Sequence, residues 1–118
     1  MTSLSEKKCT PCEGGTAALS KTEAQELLRN LTGWNLLPGA KSIRVEYVMK
    51  NFQAAVDVIN QITKVAEAEN HHPDIHLTDY RKLAVELSTH AIGGLSENDF
   101  ILAAKINALP KQLKPTAK

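Results

Sequence analysis

The sequence predicts an α+β fold in the order α-β-β-α-β-β-α: a four-stranded antiparallel sheet with three helices on one face. Two patterns carry that expectation. Residues 43–49 and 83–87 alternate apolar and polar side chains, the period of a strand with one buried face. Between them, residues 52–66 space apolar side chains three or four apart, the period of a helix lying on a sheet. A chain of 118 residues, 42% of them hydrophobic, can bury a single two-layer core; domains commonly run about 100–150 residues. Aromatic residues are only 4%, so that core is aliphatic.

Residues 1–19 read as a flexible N-terminal arm, with Pro11, Gly14-Gly15 and little periodicity. The predicted domain spans residues 20–109. Its first helix runs from Lys21 to Asn30: Ser20 caps it, Glu23 completes a Ser-x-x-Glu capping box, and Leu27, Leu28 and Leu31 form the apolar stripe. Gly33 stops it. Trp34 to Leu37 reads as a short strand, Pro38-Gly39 as a turn, and Ser42 to Met49 as the next strand. Ile43, Val45, Tyr47 and Met49 share one face of that strand; Arg44 and Glu46 share the other. Asn51 caps a second helix, Phe52 to Asn70, with apolar positions Phe52, Ala55, Val56, Ile59, Ile62 and Ala66. Pro73 disfavours helical geometry at His72 and helps to end it. Asp74 to Thr78 and Lys82 to Ser88 form a hairpin, with Leu83, Val85 and Leu87 alternating with Lys82, Ala84 and Glu86. After the Gly93-Gly94 turn, Ser96 caps a third helix, with Asp99 at the capping-box acid position. Phe100, Ala103, Ala104 and Asn107 keep helical spacing. Residues 110–118, with two prolines and three lysines, read as a flexible C-terminal tail.

Fourteen basic and thirteen acidic residues give a net charge of +1. That balance offers no electrostatic footprint for nucleic acid or an acidic membrane surface. Direct nucleic-acid binding is therefore disfavoured, while binding to another protein is not. The N-terminus lacks the apolar run of a secretory signal, and no stretch approaches the roughly 20 apolar residues of a membrane span. A cytosolic or organelle-lumen protein is the default, and cytoplasmic is the expectation taken. Cys9 and Cys12 stand in a Cys-x-x-Cys pair, which admits a redox or metal reading. A structural zinc site needs four ligands. No second pair exists, and the adjacent His71 and His72 are poorly placed to meet one ion together. A reduced pair in the arm is the favoured reading, with a metal-binding protein as the alternative.

Three of the four histidines, His71, His72 and His90, fall at the ends of predicted elements. Histidine changes charge near neutral pH, with an ordinary pKa of about 6.5, so this placement points to proton chemistry. Blander readings stand beside it. A histidine at a helix C-terminus can merely complement the helix dipole, and Asp99 can be merely a helix N-terminal acid. His76 lies outside both segments and reads as a strand surface residue.

Taken together, Asn70-His71-His72-Pro73, Tyr80, Ser88-Thr89-His90, Gly94-Leu95-Ser96 and Asp99 resemble the pterin-4a-carbinolamine dehydratases. The resemblance runs from about Ser20 to Leu109 and includes Gly33-Trp34. It implies the fold order read above. It also implies an activity: loss of water from 4a-hydroxytetrahydropterin to give quinonoid dihydropterin, in tetrahydropterin recycling. By resemblance, His71 and His90 are the general acid–base candidates, approaching the pterin from different sides, and His72 holds the substrate. Asp99 accepts a hydrogen bond from a histidine ring and fixes its tautomer. Glu67, four residues before His71, is within reach if the helix persists. Ser88 and Thr89 offer hydroxyl and backbone groups to the pterin edge. The resemblance implies no metal and no organic cofactor, a homodimer or homotetramer, and an aromatic amino acid hydroxylase as pathway partner. Relatives also serve as the dimerisation cofactor of a homeodomain transcription factor, so a non-catalytic protein-binding module is the alternative. Ile75 stands where some relatives carry an aromatic residue that would cover the pterin. The segment from Pro73 to Ser88 is one residue longer than in shorter members, around Thr78-Asp79. The resemblance carries no function to the Cys-Thr-Pro-Cys arm.

Overall fold

The structure, a computed structural model, describes residues 18–114. Cys9, Cys12 and the rest of segment 1–17 lie outside the described residues, as do residues 115–118. The elements follow the predicted order: α1 (Lys21–Leu28), β1 (Asn35–Leu36), β2 (Ile43–Val48), α2 (Phe52–Glu69), β3 (Asp74–Thr78), β4 (Lys82–Leu87) and α3 (Glu97–Ala108). A 3-10 turn, His90–Ile92, links β4 towards α3. The strands form one antiparallel sheet in the order β1-β2-β4-β3. Each hairpin joins sequence neighbours. The α2 crossover brings β4 against β2, so the two most apolar strands sit in the centre.

Register explains the two faces. Ile43 pairs with Leu87, Val45 with Val85 and Tyr47 with Leu83, while Ile75 and Leu77 line up beside Val85 and Leu83. These side chains share one face and join Ala24 of α1, Ala55, Val58 and Ile62 of α2, and Phe100, Leu102, Ala103 and Ile106 of α3 in the core. Side chains on sheets alternate with period two, so Arg44, Glu46, Val48, His76, Thr78, Lys82 and Glu86 occupy the opposite, uncovered face. There Arg44 bridges Glu86 at 2.7 Å and Glu46 at 3.2 Å. His76 is exposed on that face, as its sequence position suggested.

Local chemistry sets the element ends. Ser20 and Glu23 close the expected capping box, with the Glu23 N–H donating to Ser20 Oγ at 3.1 Å and the Ser20 N–H to Glu23 Oε1 at 2.9 Å. Pro38 and Gly39 form a turn closed by the Ala40 N–H to the Leu37 carbonyl at 3.0 Å; Gly39 takes φ +90° there, open to a residue without Cβ. The β3–β4 turn contains Asp79 and Tyr80, both with positive φ.

Two details depart from expectation. Phe52 was expected on the buried stripe of α2 and is 55% exposed; the stripe is Ala54, Ala55, Val58, Ile62 and Ala66. At the helical step of about 100° per residue, Phe52 falls about 90° and Val56 about 130° from the centre of that stripe. The predicted C-terminal tail is also partly engaged. Leu113 bridges Met49, with the Lys50 N–H donating to the Gln112 carbonyl and the Lys114 N–H to the Val48 carbonyl, each at 2.8 Å.

Candidate active site

The site begins where α2 stops. Asn70 takes the left-handed conformation, φ 52°, which Asn tolerates better than most residues because its short amide can bond locally. The His71 N–H then returns to the Ala66 carbonyl at 3.1 Å, closing the helix end. This bend turns His71 towards the start of α3. Its Nε2 lies 2.6 Å from Oδ1 of Asp99, a carboxylate with no exposed surface; the His71 side chain itself is 12% exposed.

The same bend separates His71 from Glu67. The i,i+4 contact expected from a persisting helix does not form, because the helix ends at Glu69. Glu67 Oε2 instead meets His72 Nε2 at 2.5 Å, with both side chains more than half exposed. His71 is thus held by a buried carboxylate and its neighbour by a solvated one. An exposed pair of the second kind contributes little to stability.

Asp99 is the third residue of α3, and its second oxygen is bound from two directions. Oδ2 accepts the Ser96 N–H at 3.0 Å and the Thr89 hydroxyl at 2.8 Å. Thr89 Oγ1 also lies 2.8 Å from Ser96 Oγ. Sequence reasoning found Ser96 as a helix cap and missed its contact with Thr89. The loop is tied at its base by the Thr89 N–H to the Gly94 carbonyl at 2.7 Å. Between these two residues the backbone of His90 opens the 3-10 turn. Ser88, half-buried, immediately precedes this loop. Ile75, half-buried, packs against the core from β3.

Gly94 has a reason that its turn position alone does not supply. A Cβ there would lie 2.8 Å from the Ala18 Cβ, and the Leu19 N–H donates to the Leu95 carbonyl at 2.8 Å. The chain entering α1 therefore lies directly on the loop that bears Thr89 and His90. A cavity of about 760 Å³ opens beside this contact, between Lys21, Pro38, Lys41, Gly93 and Gly94, and neither His71 nor Asp99 lines it. Among the described residues, no three His, Cys, Asp or Glu side chains converge as a metal site, and no helix is long and apolar enough to cross a membrane.

A histidine held by a fully buried carboxylate, at a helix end beside the loop after β4, is an arrangement suited to proton transfer on an α+β sandwich. Comparison with known proteins identifies the family. The family model described as Pterin 4 alpha carbinolamine dehydratase matches residues 17–109. A Nitrosospira multiformis protein assigned to the pterin-4-alpha-carbinolamine dehydratases is 49% identical over 106 residues, covering 90% of this chain and 91% of that one. Pterin-4-alpha-carbinolamine dehydratase 2, mitochondrial, of Arabidopsis thaliana is 43% identical over 109 residues, 90% of this chain and 58% of that one. A crystal structure from Brucella melitensis, described as a transcriptional coactivator/pterin dehydratase, superposes with a TM-score of 0.72 at 34% identity, covering 77% of this chain and 96% of that one. The chain belongs to the pterin 4 alpha carbinolamine dehydratase family.

Proposed function

We propose that the protein is a hydro-lyase that removes water from 4a-hydroxytetrahydropterin to give quinonoid dihydropterin, in tetrahydropterin recycling. The observation that carries this reading is the His71–Asp99 pair, a histidine held by a buried carboxylate at 2.6 Å. In the reaction the C4a–O bond breaks and hydroxide, a poor leaving group, departs as water after taking a proton. A ring N–H loses its proton and the nitrogen electrons form the new C=N bond. One proton is given and one is taken, so two groups titrating near neutral pH suffice; each such transfer typically contributes about 100- to 10,000-fold. We assign these transfers to His71 and His90, substrate holding to His72 with Glu67, and contacts to the pterin edge to Ser88. The chemistry requires no metal and no organic cofactor. The hydroxylated pterin must be supplied by an oxygenating reaction, which makes an aromatic amino acid hydroxylase a suitable pathway partner. We place the protein in the cytoplasm and infer a homodimer or homotetramer, because the edge strand β3 and the bare sheet face both invite pairing.

The test is a stopped-flow measurement of 4a-hydroxytetrahydropterin decay with and without the protein. Decay is expected to accelerate in proportion to protein concentration; decay at the background rate would overturn the reading. A second reading, a protein-binding module, is favoured by one observation, the coactivator description of the Brucella melitensis structure. Background decay combined with an intact fold would leave that reading standing.

A further inference from the structure

With Asp99 as a carboxylate, its contacts admit one arrangement of protons. An ionised carboxylate only accepts hydrogen bonds, and a hydroxyl has a single proton to give. Thr89 must therefore give its proton to Asp99 Oδ2, 2.8 Å away. Its contact with Ser96 Oγ, also 2.8 Å, must then be donated by Ser96. By the same rule the His71 nitrogen facing Asp99 Oδ1, Nε2, carries a proton. In the neutral ring the lone pair then sits on Nδ1.

We propose that Thr89 and Ser96 are positioning residues, forming a buried hydroxyl relay from Ser96 through Thr89 to Asp99 that holds His71 as its Nε2–H tautomer and makes Nδ1 the atom exchanging protons with substrate. The kinetic half of this inference rests on the dehydratase reading; the tautomer half does not. The relay ties three separate pieces of chain: Thr89 follows β4, Ser96 caps α3, and His71 follows α2. Thr89 is only 4% exposed, and each of its polar groups is engaged within the protein. Its hydroxyl serves Asp99, its N–H goes to the Gly94 carbonyl at 2.7 Å, and its carbonyl accepts the Ile92 N–H at 3.2 Å. Thr89 thus acts on the substrate through Asp99 and not by touching the pterin edge. With the hydroxyl gone, Oδ2 keeps only the Ser96 N–H. The carboxylate plane is then free to turn, and the hydrogen bond that selects the His71 tautomer weakens.

Three variants test the relay. Thr89→Val keeps the shape and branching of the side chain and removes the hydroxyl. Thr89→Ser restores the hydroxyl, and Ser96→Ala removes the outer donor. Each is assayed for dehydration and for the His71 ring tautomer by long-range ¹⁵N–¹H correlation. Wild type and Thr89→Ser should both show the Nε2–H form. Thr89→Val should mix the tautomers and lower kcat about 10- to 100-fold, the scale at which partners behind a histidine ligand act. Its KM should stay within about two-fold, since no substrate contact is lost. Ser96→Ala should shift both readouts the same way by less. A raised KM at unchanged kcat in Thr89→Val would assign Thr89 to substrate binding and overturn the relay. So would an unchanged His71 tautomer in that variant. If Thr89→Val does not fold, Ser96→Ala carries the same two readouts. Because the tautomer is read without substrate, a wild type that fails to accelerate dehydration would sink the dehydratase reading and still leave the relay decided.

Discussion

His71 and His72 are neighbours in sequence with opposite surroundings, and that contrast governs their substitutions. His71 meets a carboxylate with no exposed surface, whereas the carboxylate on His72 is solvated. His71→Ala and His90→Ala should each lower kcat by about 100- to 10,000-fold, the usual loss for a positioned acid or base, with the smaller end applying if each serves one face of the pterin. His72→Ala should mainly raise KM and leave the melting temperature nearly unchanged. Steady-state dehydration kinetics on the three variants check this; full activity in the His71→Ala/His90→Ala double variant would refute it. Asp99→Ala should also unfold more readily, because it orphans the buried Ser96 N–H and leaves the Thr89 hydroxyl only Ser96 Oγ as partner. Orphaned buried groups cost about 1–3 kcal/mol each, which urea denaturation would read as a lowered midpoint. At this scale the residue types were legible in the sequence and their pairing was not. That Asp99 serves a histidine ring was readable from the motif. Which ring it serves depends on Asn70 turning left-handed, and the cue was there: Asn just after a helix is a familiar left-handed cap.

The third helix joins the site to the rest of the fold. Its first turn carries Asp99; about 12 Å further along, at 1.5 Å per residue, Asn107 anchors it to the sheet. Asn107 Oδ1 accepts from Trp34 Nε1 at 2.9 Å and from the Tyr47 hydroxyl at 3.1 Å, and burial pushes the Tyr47 hydroxyl up to about 12. Lys111 Nζ caps the same end through the Ile106 and Leu109 carbonyls at 2.5 and 2.8 Å. Asn107→Leu should therefore cost stability, about 1–3 kcal/mol for the orphaned Trp34 N–H and Tyr47 hydroxyl, and leave KM unchanged, since the site is at the opposite end. Gly94→Ala should do the reverse in proportion. Its Cβ would meet the Ala18 Cβ at 2.8 Å, an overpacking worth about 1–3 kcal/mol, relieved only by moving the loop that bears Thr89 and His90. Turnover should fall by more than that loss of stability explains; a fully active Gly94→Ala would show that the loop tolerates the shift. Periodicity made the existence and order of the elements legible, because one buried face imposes a period on strand and helix alike. It read α3 least well. That helix buries Phe100, Ile101, Leu102, Ala103 and Ile106, so no polar face marks its stripe.

Across the whole molecule, the chain before α1 meets the loop after β4, two segments more than seventy residues apart. Sequence patterns are local, so neither this contact nor the strand order β1-β2-β4-β3 could be read from them; what they did yield was the two hairpins and the helix between. The contact predicts where the working domain begins. A chain starting at Ala18 keeps Ala18 against Gly94, the Leu19 N–H on the Leu95 carbonyl and the Ser20 cap, while losing Cys9 and Cys12. The family match also starts there, at residue 17. Such a chain should retain turnover within about two- to three-fold, because it keeps every contact described for residues 18–114. A chain starting at Lys21 loses both the contact on the loop and the cap. A lost cap alone costs about 1 kcal/mol, which in a domain of this size lowers Tm by about 4–8 °C, and the untethered loop should cost turnover beyond that. Thermal melts and dehydration rates on the two truncations, at a temperature where both are folded, separate the effects. Equal activity in both would show that the loop holds its shape without the strap. Collapse of activity in the longer chain, with its fold intact, would show that residues 1–17 reach the site and would reopen a role for the cysteine pair.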